Sequence, residues 1–360
     1  MLTAETQPDA VTVIIPTYRR PVLLRRAIVS VLNQSYSNFT MLVSDNASGD
    51  ETKAVVMELA ASDQRIEYYS HSDNIGMVAN FNSALRKVET PFFCFLSDDD
   101  VLLPDCLSVG MRCFSQYPEA VFVSGSVIVM DNVGEIWNVP LHYWPRDGVF
   151  EPPAGLLYMT TGNHPLITGT IFRKEALRIV GELDPSMVAF DLDYMLRLAS
   201  TRPFAVSAHP CAVFTMHPGS TGVRSDSWFY WPGFQILLDK LSSNESIPSP
   251  IRAKAVDQLT AFLAKGLFYA GIRSTLRSDY SDARRSARIL LEYCKANTGA
   301  FVLDTVIAIA ERWPLGPELL RTVNHVKMAL GRLKRKKLNM AFSSYVHDIP
   351  KGEDRIVDPE

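Results

Sequence analysis

Glycine is absent from the first 48 residues of this 360-residue chain. A dehydrogenase of the Rossmann type needs G-x-G-x-x-G in the turn after its first strand, because only glycine lets the backbone close on a pyrophosphate. That class is excluded, and the absence of G-x-x-x-x-G-K-[ST] excludes a P-loop kinase. Cysteine is scarce: Cys94, Cys106, Cys113, Cys211 and Cys294 are odd in number and form no C-x-x-C pair. A disulfide framework or zinc knuckle is therefore not expected, and a reducing cytoplasm is the simplest setting. Residues 1–10 lack the basic start and apolar stretch of a secretion signal. No apolar run reaches the roughly 18 residues that a membrane span requires. The nearest, Phe301 to Ala310, is interrupted by Asp304. Charge of one sign is not in excess: 36 basic against 39 acidic residues leave −3, which argues against a nucleic-acid partner.

What remains is an ordinary globular mixture, 47% hydrophobic and 21% charged, in a chain long enough to bury its own core. Val11–Ile15, Phe39–Val43, Arg65–Ser70 and Phe92–Leu96 read as short buried strands. Helical stripes lie between them, over 23–32, 50–61 and 77–88. Strands alternating with helices of this size imply βαβ crossovers and a doubly wound α/β sheet, mostly parallel. Ligands of such sheets bind beyond the carboxyl ends of the strands. Further strands are expected over 120–130, 167–172 and 212–216 and a helix over 191–200, with 137–165 as one long loop. Beyond residue 228 strand signals give way to amphipathic helices over 255–269, 281–294 and 318–333. The expected organisation is a short extension (1–10), an α/β domain (11–235), a helical region (236–340) and a disordered acidic tail (341–360).

Four polar segments fall at expected strand ends. Pro16-Thr17-Tyr18-Arg19-Arg20 follows the first strand and offers backbone, a hydroxyl and a ring to a planar ligand, or simply stops the strand and starts a basic helix. Asp45, in Ser44-Asp45-Asn46-Ala47-Ser48-Gly49-Asp50, can accept hydrogen bonds from a base or ribose. The same residues also suit a turn and helix cap. Asp98-Asp99-Asp100 closes a strand as apolar as Phe92–Leu96. Adjacent carboxylates in a confined place repel one another, and a hard divalent cation such as Mn²⁺ or Mg²⁺ removes that cost while bridging to phosphates. Asp191 begins a helix, where it serves either as a cap or as a general base toward an acceptor hydroxyl.

Taken together these segments resemble glycosyltransferase family 2, inverting enzymes of the GT-A fold that use nucleotide-activated sugars. The resemblance spans about residues 10–220. It rests on Val13–Arg20, Val43–Thr52, Asn74-Ile75-Gly76 with Asn82, Phe95–Pro104, and Gly169–Ala176 with Gly181–Asp184. It implies a nucleotide-sugar site built from Pro16, Thr17, Tyr18, Asp45, Asn74, Gly76, Asn82 and Asp98. Thr17 and Asp45 would contact the nucleobase and Tyr18 would pack on it, with Asp98 near the ribose and diphosphate. Asp99 is the implied principal metal ligand, with Asp100 and His217 beside it, and Asp191 the catalytic base. His217 also reads as a loop histidine held by a structural hydrogen bond, and His164 as an exposed loop histidine. The sequence departs from the family pattern at Ser97, Phe81 and Phe190, where an acidic residue, an arginine and a glutamate are usual.

The expected partners are a UDP- or dTDP-linked sugar and a saccharide or lipid-linked saccharide acceptor, in bacterial surface polysaccharide or glycolipid assembly. A nucleotidyltransferase would open with a glycine-rich basic loop, which is missing. A non-catalytic nucleotide or sugar binder of the same fold would not need Asp99 and Asp191. Arg332-Leu-Lys-Arg-Lys-Lys337 reads either as a contact for anionic lipid on the inner face of the membrane or as a solvated helix end.

Overall fold

Val11–Thr17 forms the first strand, β1, with all seven residues buried, as its β-branched run requires. The fold is described from a computed structural model for residues 9–187, 189–217, 227–312, 331, 335–347 and 349; of 227–230 only the backbone is described. Helix α1 (Pro21–Leu32) starts with proline in its first turn, where the missing amide costs no hydrogen bond, and buries Leu23, Leu24, Ala27, Ile28 and Val31. There follow β2 (Phe39–Asp45), α2 (Thr52–Ala60), β3 (Ile66–Ser70), α3 (Met77–Leu85) and β4 (Phe92–Phe95). These four strands are parallel in the order β3-β2-β1-β4. The chain thus winds one way from β1 to β3 and then returns to the other flank of β1. The reversal opens a crevice beyond the carboxyl ends of β1 and β4.

The second half comprises β5 (Val101–Leu102), α4 (Cys106–Gln116), β6 (Phe122–Asp131), β7 (Ile136–Asn138), β8 (Gly148–Phe150), α5 (Ala154–Met159), β9 (Thr170–Arg173), α6 (Ala176–Val180), α7 (Phe190–Ala199) and β10 (Phe204–Met216). Here the sheet departs from the expected parallel pattern. Strand β9 lies antiparallel between β4 and β6, β10 runs parallel to β6, and β5, β7 and β8 add antiparallel edges. The sheet is therefore mixed. The segment read as one loop over 137–165 instead holds part of β7, a 3₁₀ turn at Pro140–Tyr143, β8 and α5.

Alternation along the strands sends side chains to two cores. Ile14, Phe93, Phe95, Phe122 and Phe172 face α3, α7 and the C-terminal helices. Val13, Ile15, Cys94, Leu96 and Val123 face α1 and α4. The C-terminal region contains α8 (Ser227–Ser243), α9 (Ser249–Leu276), α10 (Tyr280–Glu292) and α11 (Asn297–Arg312). Its residues Leu237, Leu259, Leu290 and Leu303 belong to the same core as the sheet. Lys240 on α8 also pairs with Asp184 at 2.5 Å and with buried Asp193 at 3.4 Å.

Two expectations about the C-terminus change. The helix expected over 318–333 falls, apart from position 331, outside the described residues. Residues 335–346 are helical, and Leu338, Val346 and Ile349 pack on Val101, Ile128, Ile136 and Val213. Residues 341–347 and 349 are thus not a loose tail, because Phe342, Val346 and Ile349 cover the far edge of the sheet. Within the basic run, 332–334 lie outside the described residues. Arg335 does not face a lipid surface: it is 8% exposed, donates to Glu135 at 2.7 Å and lies over the Trp137 ring. Only Lys336 and Lys337 of the described basic residues there are exposed.

Strand β10 slips register against β6 between Ser207 and Pro210 and again before Ala212. The bulge brings Cys211 over Gly125, where an added Cβ would lie 2.1 Å from the Cys211 sulfur. Gly125→Ala should therefore lower stability by about 1–3 kcal/mol through overpacking. Denaturant unfolding checks this, with an unchanged midpoint as the contrary outcome.

Candidate active site

Thr17 ends β1 and Asp98 lies three residues beyond β4, so the strand reversal brings them together across 81 residues of sequence. The Thr17 hydroxyl donates to Asp98 Oδ2 at 2.7 Å, and the Tyr18 amide approaches the same oxygen at 3.4 Å. Arg19 turns through left-handed backbone at φ 54°, held by Ser48, whose Oγ accepts from its amide at 2.9 Å. That turn sends Arg20 back over the acidic run. Its guanidinium donates to Asp98 Oδ1 at 3.1 Å and to Asp99 Oδ2 at 2.9 Å. His217 Nε2 stands 3.1 Å from the same Asp99 oxygen. Arg26, one turn and a half further along α1, donates to the Asp99 carbonyl and to Thr215 Oγ1.

The three carboxylates are not equivalent. Burial and the charge of Asp99 push Asp98 up to about 6, against the opposing pull of Arg20 and Thr17. Burial also works to raise Asp99, but the hydrogen bond from His217 and the charges of Arg20 and His217 outweigh it and hold Asp99 low. Asp100 is pushed well above the usual range by burial and by Asp99. One of the three thus keeps its charge most readily, and it is the one that touches His217.

These groups open on a cavity of about 510 Å³. Of the residues named from the sequence, Pro16, Thr17, Tyr18, Asn74, Asp98, Asp99 and Asp191 line it. Asp191 stands on α7 as the second helical residue, with Ala189 at the cap position, so its carboxylate does not cap the helix. Asp191 Oδ1 accepts from the Leu192 amide at 2.8 Å. Phe81, Phe190 and Phe214 supply apolar wall beside these polar groups, the mixture expected of a small-molecule site.

Five expected residues do not reach that wall. Asp45 is buried in its own turn: it accepts from the Ser48 amide at 3.0 Å, the Ser48 hydroxyl at 2.5 Å and the Tyr68 hydroxyl at 2.6 Å. Neighbouring Asn46 lines the cavity instead and donates to Asn74 Oδ1. Gly76 precedes α3 at φ 87°, a conformation that favours glycine, and serves the turn. Asn82 clamps backbone, donating to the Leu183 carbonyl at 2.8 Å and accepting from the Leu183 amide at 3.0 Å. Asp100 points inward, accepting from Thr168 Oγ1 at 2.6 Å and the Thr215 amide at 3.0 Å, which ties β10 to the loop before β9. His217 is buried behind Asp99 rather than in the wall. His164 corrects the expectation of exposure. Its Nδ1 is buried with no hydrogen bond among the described residues, and its ring meets Phe262 edge-on. Burial holds this imidazole below its usual range, against the opposing charge of Asp191.

Arg20, Arg26, Asn46 and Asn80 were not singled out from the sequence. Asn80 lines the cavity while bonded to both the hydroxyl and the carbonyl of Ser44. For Arg20 a signal existed, since it stands within the Pro16–Arg20 segment; Arg26 lies on an ordinary amphipathic helix and had none.

Among the described residues no three His, Cys, Asp or Glu side chains converge as a closed metal site. Asp99, His217 and the adjoining Asp98 nevertheless suit a hard or borderline cation that completes its shell with phosphate oxygens and water. Such open sites are how Mg²⁺ and Mn²⁺ commonly meet a nucleotide. Asn82→Ala, by contrast, strips buried backbone of two partners and should cost about 1–3 kcal/mol. Nucleotide affinity should stay as in wild type, read by thermal unfolding and calorimetry on one preparation. A large loss of affinity at unchanged stability would restore Asn82 to the binding site.

Residues 12–179 match the model of glycosyl transferase family 2. The chain is similar to a GalNAc(5)-diNAcBac-PP-undecaprenol beta-1,3-glucosyltransferase of Campylobacter jejuni, 41% identical over 102 residues, covering 28% of this chain and 33% of that protein. It is also similar to the UDP-Glc:alpha-D-GlcNAc-diphosphoundecaprenol beta-1,3-glucosyltransferase WfgD of Escherichia coli, 33% identical over 99 residues, covering 28% and 38%. The matched stretch therefore spans little more than a third of these relatives. Among solved structures, S. aureus TarS 1–349 in complex with UDP-GlcNAc superposes with TM-score 0.60 at 16% identity, covering 84% of this chain and 91% of that one. At that identity the likeness concerns the fold.

Proposed function

The chain belongs to glycosyl transferase family 2 through residues 12–179 and carries the GT-A fold, and from this premise we propose that it moves a sugar from a nucleoside-diphosphate sugar to an acceptor hydroxyl with inversion. One observation carries the reading: Thr17, Tyr18, Asp98, Asp99 and Asp191 line a single cavity at the point where the strand order reverses.

In this reading Tyr18 and Asn46 bracket the nucleobase and ribose, while Asp98 and Asp99 face the diphosphate. Asp191 Oδ2 takes the proton of the acceptor hydroxyl as that oxygen attacks the anomeric carbon. The bond from that carbon to the diphosphate oxygen breaks, and the nucleoside diphosphate departs with the electron pair. Attack from the side opposite the leaving group inverts the centre. A divalent cation held by Asp99 and His217, Mn²⁺ or Mg²⁺, would supply Lewis-acid stabilisation of the departing diphosphate. Arg20 and Arg26 keep the acidic run folded by offsetting its charge, and the apolar wall at Phe81, Phe190 and Phe214 limits water at the reacting carbon.

For the donor, a UDP-linked sugar is favoured over a dTDP-linked one, because UDP-Glc is named for WfgD. A saccharide on a polyprenyl diphosphate is the acceptor class we favour, by likeness to the undecaprenol-linked substrates named for the two relatives. Work on the cytoplasmic face of the membrane, in surface polysaccharide or glycolipid assembly, follows from that choice. No helix among the described residues is long and apolar enough to cross a membrane.

Asp191→Asn should lower turnover by about 10²–10⁴-fold, the range for loss of a positioned base, and leave the dissociation constant for the UDP-sugar within twofold. Release of UDP under saturating donor measures this; near-normal turnover would remove Asp191 from the role. Asp99→Asn should abolish the gain in UDP-sugar affinity that Mn²⁺ confers on the wild-type protein, read by titration calorimetry with and without the metal. An undiminished gain would place the cation elsewhere.

A further inference from the structure

A second cleft, of about 470 Å³, lies between α9 and the segment that joins β7 to β9. Phe262, Lys265, Gly266 and Tyr269 of α9 form one wall, and Asn138, Tyr143 and Asn163 belong to the other. The walls are fixed to one another. Thr160 Oγ1 donates across to Gln258 Oε1 of α9 at 2.8 Å, and within the other wall the Trp144 indole holds the Asn163 carbonyl at 2.7 Å. Gly162, at φ 85°, passes so near Phe262 that a Cβ there would lie 2.2 Å from the ring.

Gly266 is the informative residue. Glycine inside a helix is less favourable than alanine, because its backbone has more freedom to lose. At Gly162 the approach of another side chain explains the choice. At Gly266 nothing among the described residues lies within 4 Å of an added Cβ, so no packing among them calls for glycine. The space it leaves is part of the cleft. Around that space stand aromatic surfaces that can cover the apolar face of a sugar ring, two side-chain amides suited to hydroxyls, and the ammonium of Lys265. Among the described residues Lys265 has no ion-pair partner, and it is exposed.

Two observations connect this cleft to the reacting cavity. Asn163 lines the one and Leu166 the other, and three residue steps of chain span at most about 10 Å. Between them His164 meets Phe262 edge-on at 6.4 Å between ring centres. A saccharide in the cleft would thus lie beside the segment 163–166, which continues into the wall of the reacting cavity.

We propose that the cleft between α9 and residues 138–163 binds the non-reacting part of the acceptor, a saccharide carrying an anionic group that Lys265 receives. This rests on the glycosyl-transfer reading and adds where and by what chemistry the acceptor is held. Binding energy gathered there, away from the reacting hydroxyl, is what positions that hydroxyl for attack. The anion is either the phosphate of a carrier-linked sugar or the carboxylate of a uronic acid.

Saturation-transfer NMR with three probes tests the proposal: N-acetylglucosamine 1-phosphate, methyl β-glucuronide and the neutral methyl β-N-acetylglucosaminide. At least one anionic probe should bind fivefold or more tightly than the neutral one, and which of them does so identifies the source of the anion. Lys265→Glu should erase that preference. Gly266→Phe, whose ring would fill the cleft, should weaken the favoured probe by at least fivefold, whereas Gly266→Ala should leave binding intact and raise the melting temperature. UDP affinity should be unchanged in all three variants. Equal binding of the three probes, no binding of any, or full binding by Gly266→Phe would each overturn the proposal. Probe binding with no UDP binding by the wild-type protein would instead sink the glycosyl-transfer reading and leave the cleft standing.

Discussion

Asp98 and Asp99 lie side by side in the buried turn after β4, where the charge of Asp99 raises the cost of ionising Asp98. The surrounding structure is arranged around that repulsion. Arg20 spans both carboxylates, His217 supports Asp99, Thr17 fixes Asp98, and Arg26 ties the Asp99 carbonyl to Thr215. These partners come from β1, the start and middle of α1, and the end of β10. Charge neutralisation at this one point therefore fastens together elements that are distant in sequence, and it does so beside the cavity. Under the proposed function this arrangement favours an anionic diphosphate, because the site's own negative charge is already partly offset.

Asp100 shows how position within the same run changes the role. One residue beyond Asp99 the side chain turns inward and is held by Thr168 and the Thr215 amide. It fixes the loop that carries Leu166, Ile167 and Thr168 into the cavity wall. Three identical side chains thus divide into one that anchors β1, one that keeps its charge, and one that braces the wall.

The parallel half of the fold was legible because Val11–Ile15, Phe39–Val43 and Phe92–Leu96 are predominantly apolar and separated by helical stripes. The stretch 137–165 was not. Its strands β7 and β8 have three residues each and exist through pairing with β6 and β10, which no local pattern records. The start of the tail, of which 341–347 and 349 are described, was not legible for a similar reason. Val346 and Ile349 are isolated apolar residues in a polar stretch, and only the uncovered edge of the sheet gives them a place to pack. At the site, Thr17, Tyr18, Asp98, Asp99 and Asp191 could be picked out because chemistry-bearing residues followed expected strand ends or began an expected helix. Asp45 and Asn82 fall outside the cavity wall, engaged with their own turn and with backbone, because short carboxylate and amide side chains serve backbone as readily as ligand. Arg20 and Arg26 make the opposite case, since their long side chains act on residues more than 70 positions away.

Hydrogen–deuterium exchange of the full chain with saturating UDP and Mn²⁺ addresses the central claim most directly, because it locates the nucleotide without presuming turnover. The account predicts slowed exchange in the peptides that contain Thr17–Arg20 and Ser97–Asp99, with 259–270 unaffected. Protection confined to other parts of the chain, or none at saturation, would contradict it.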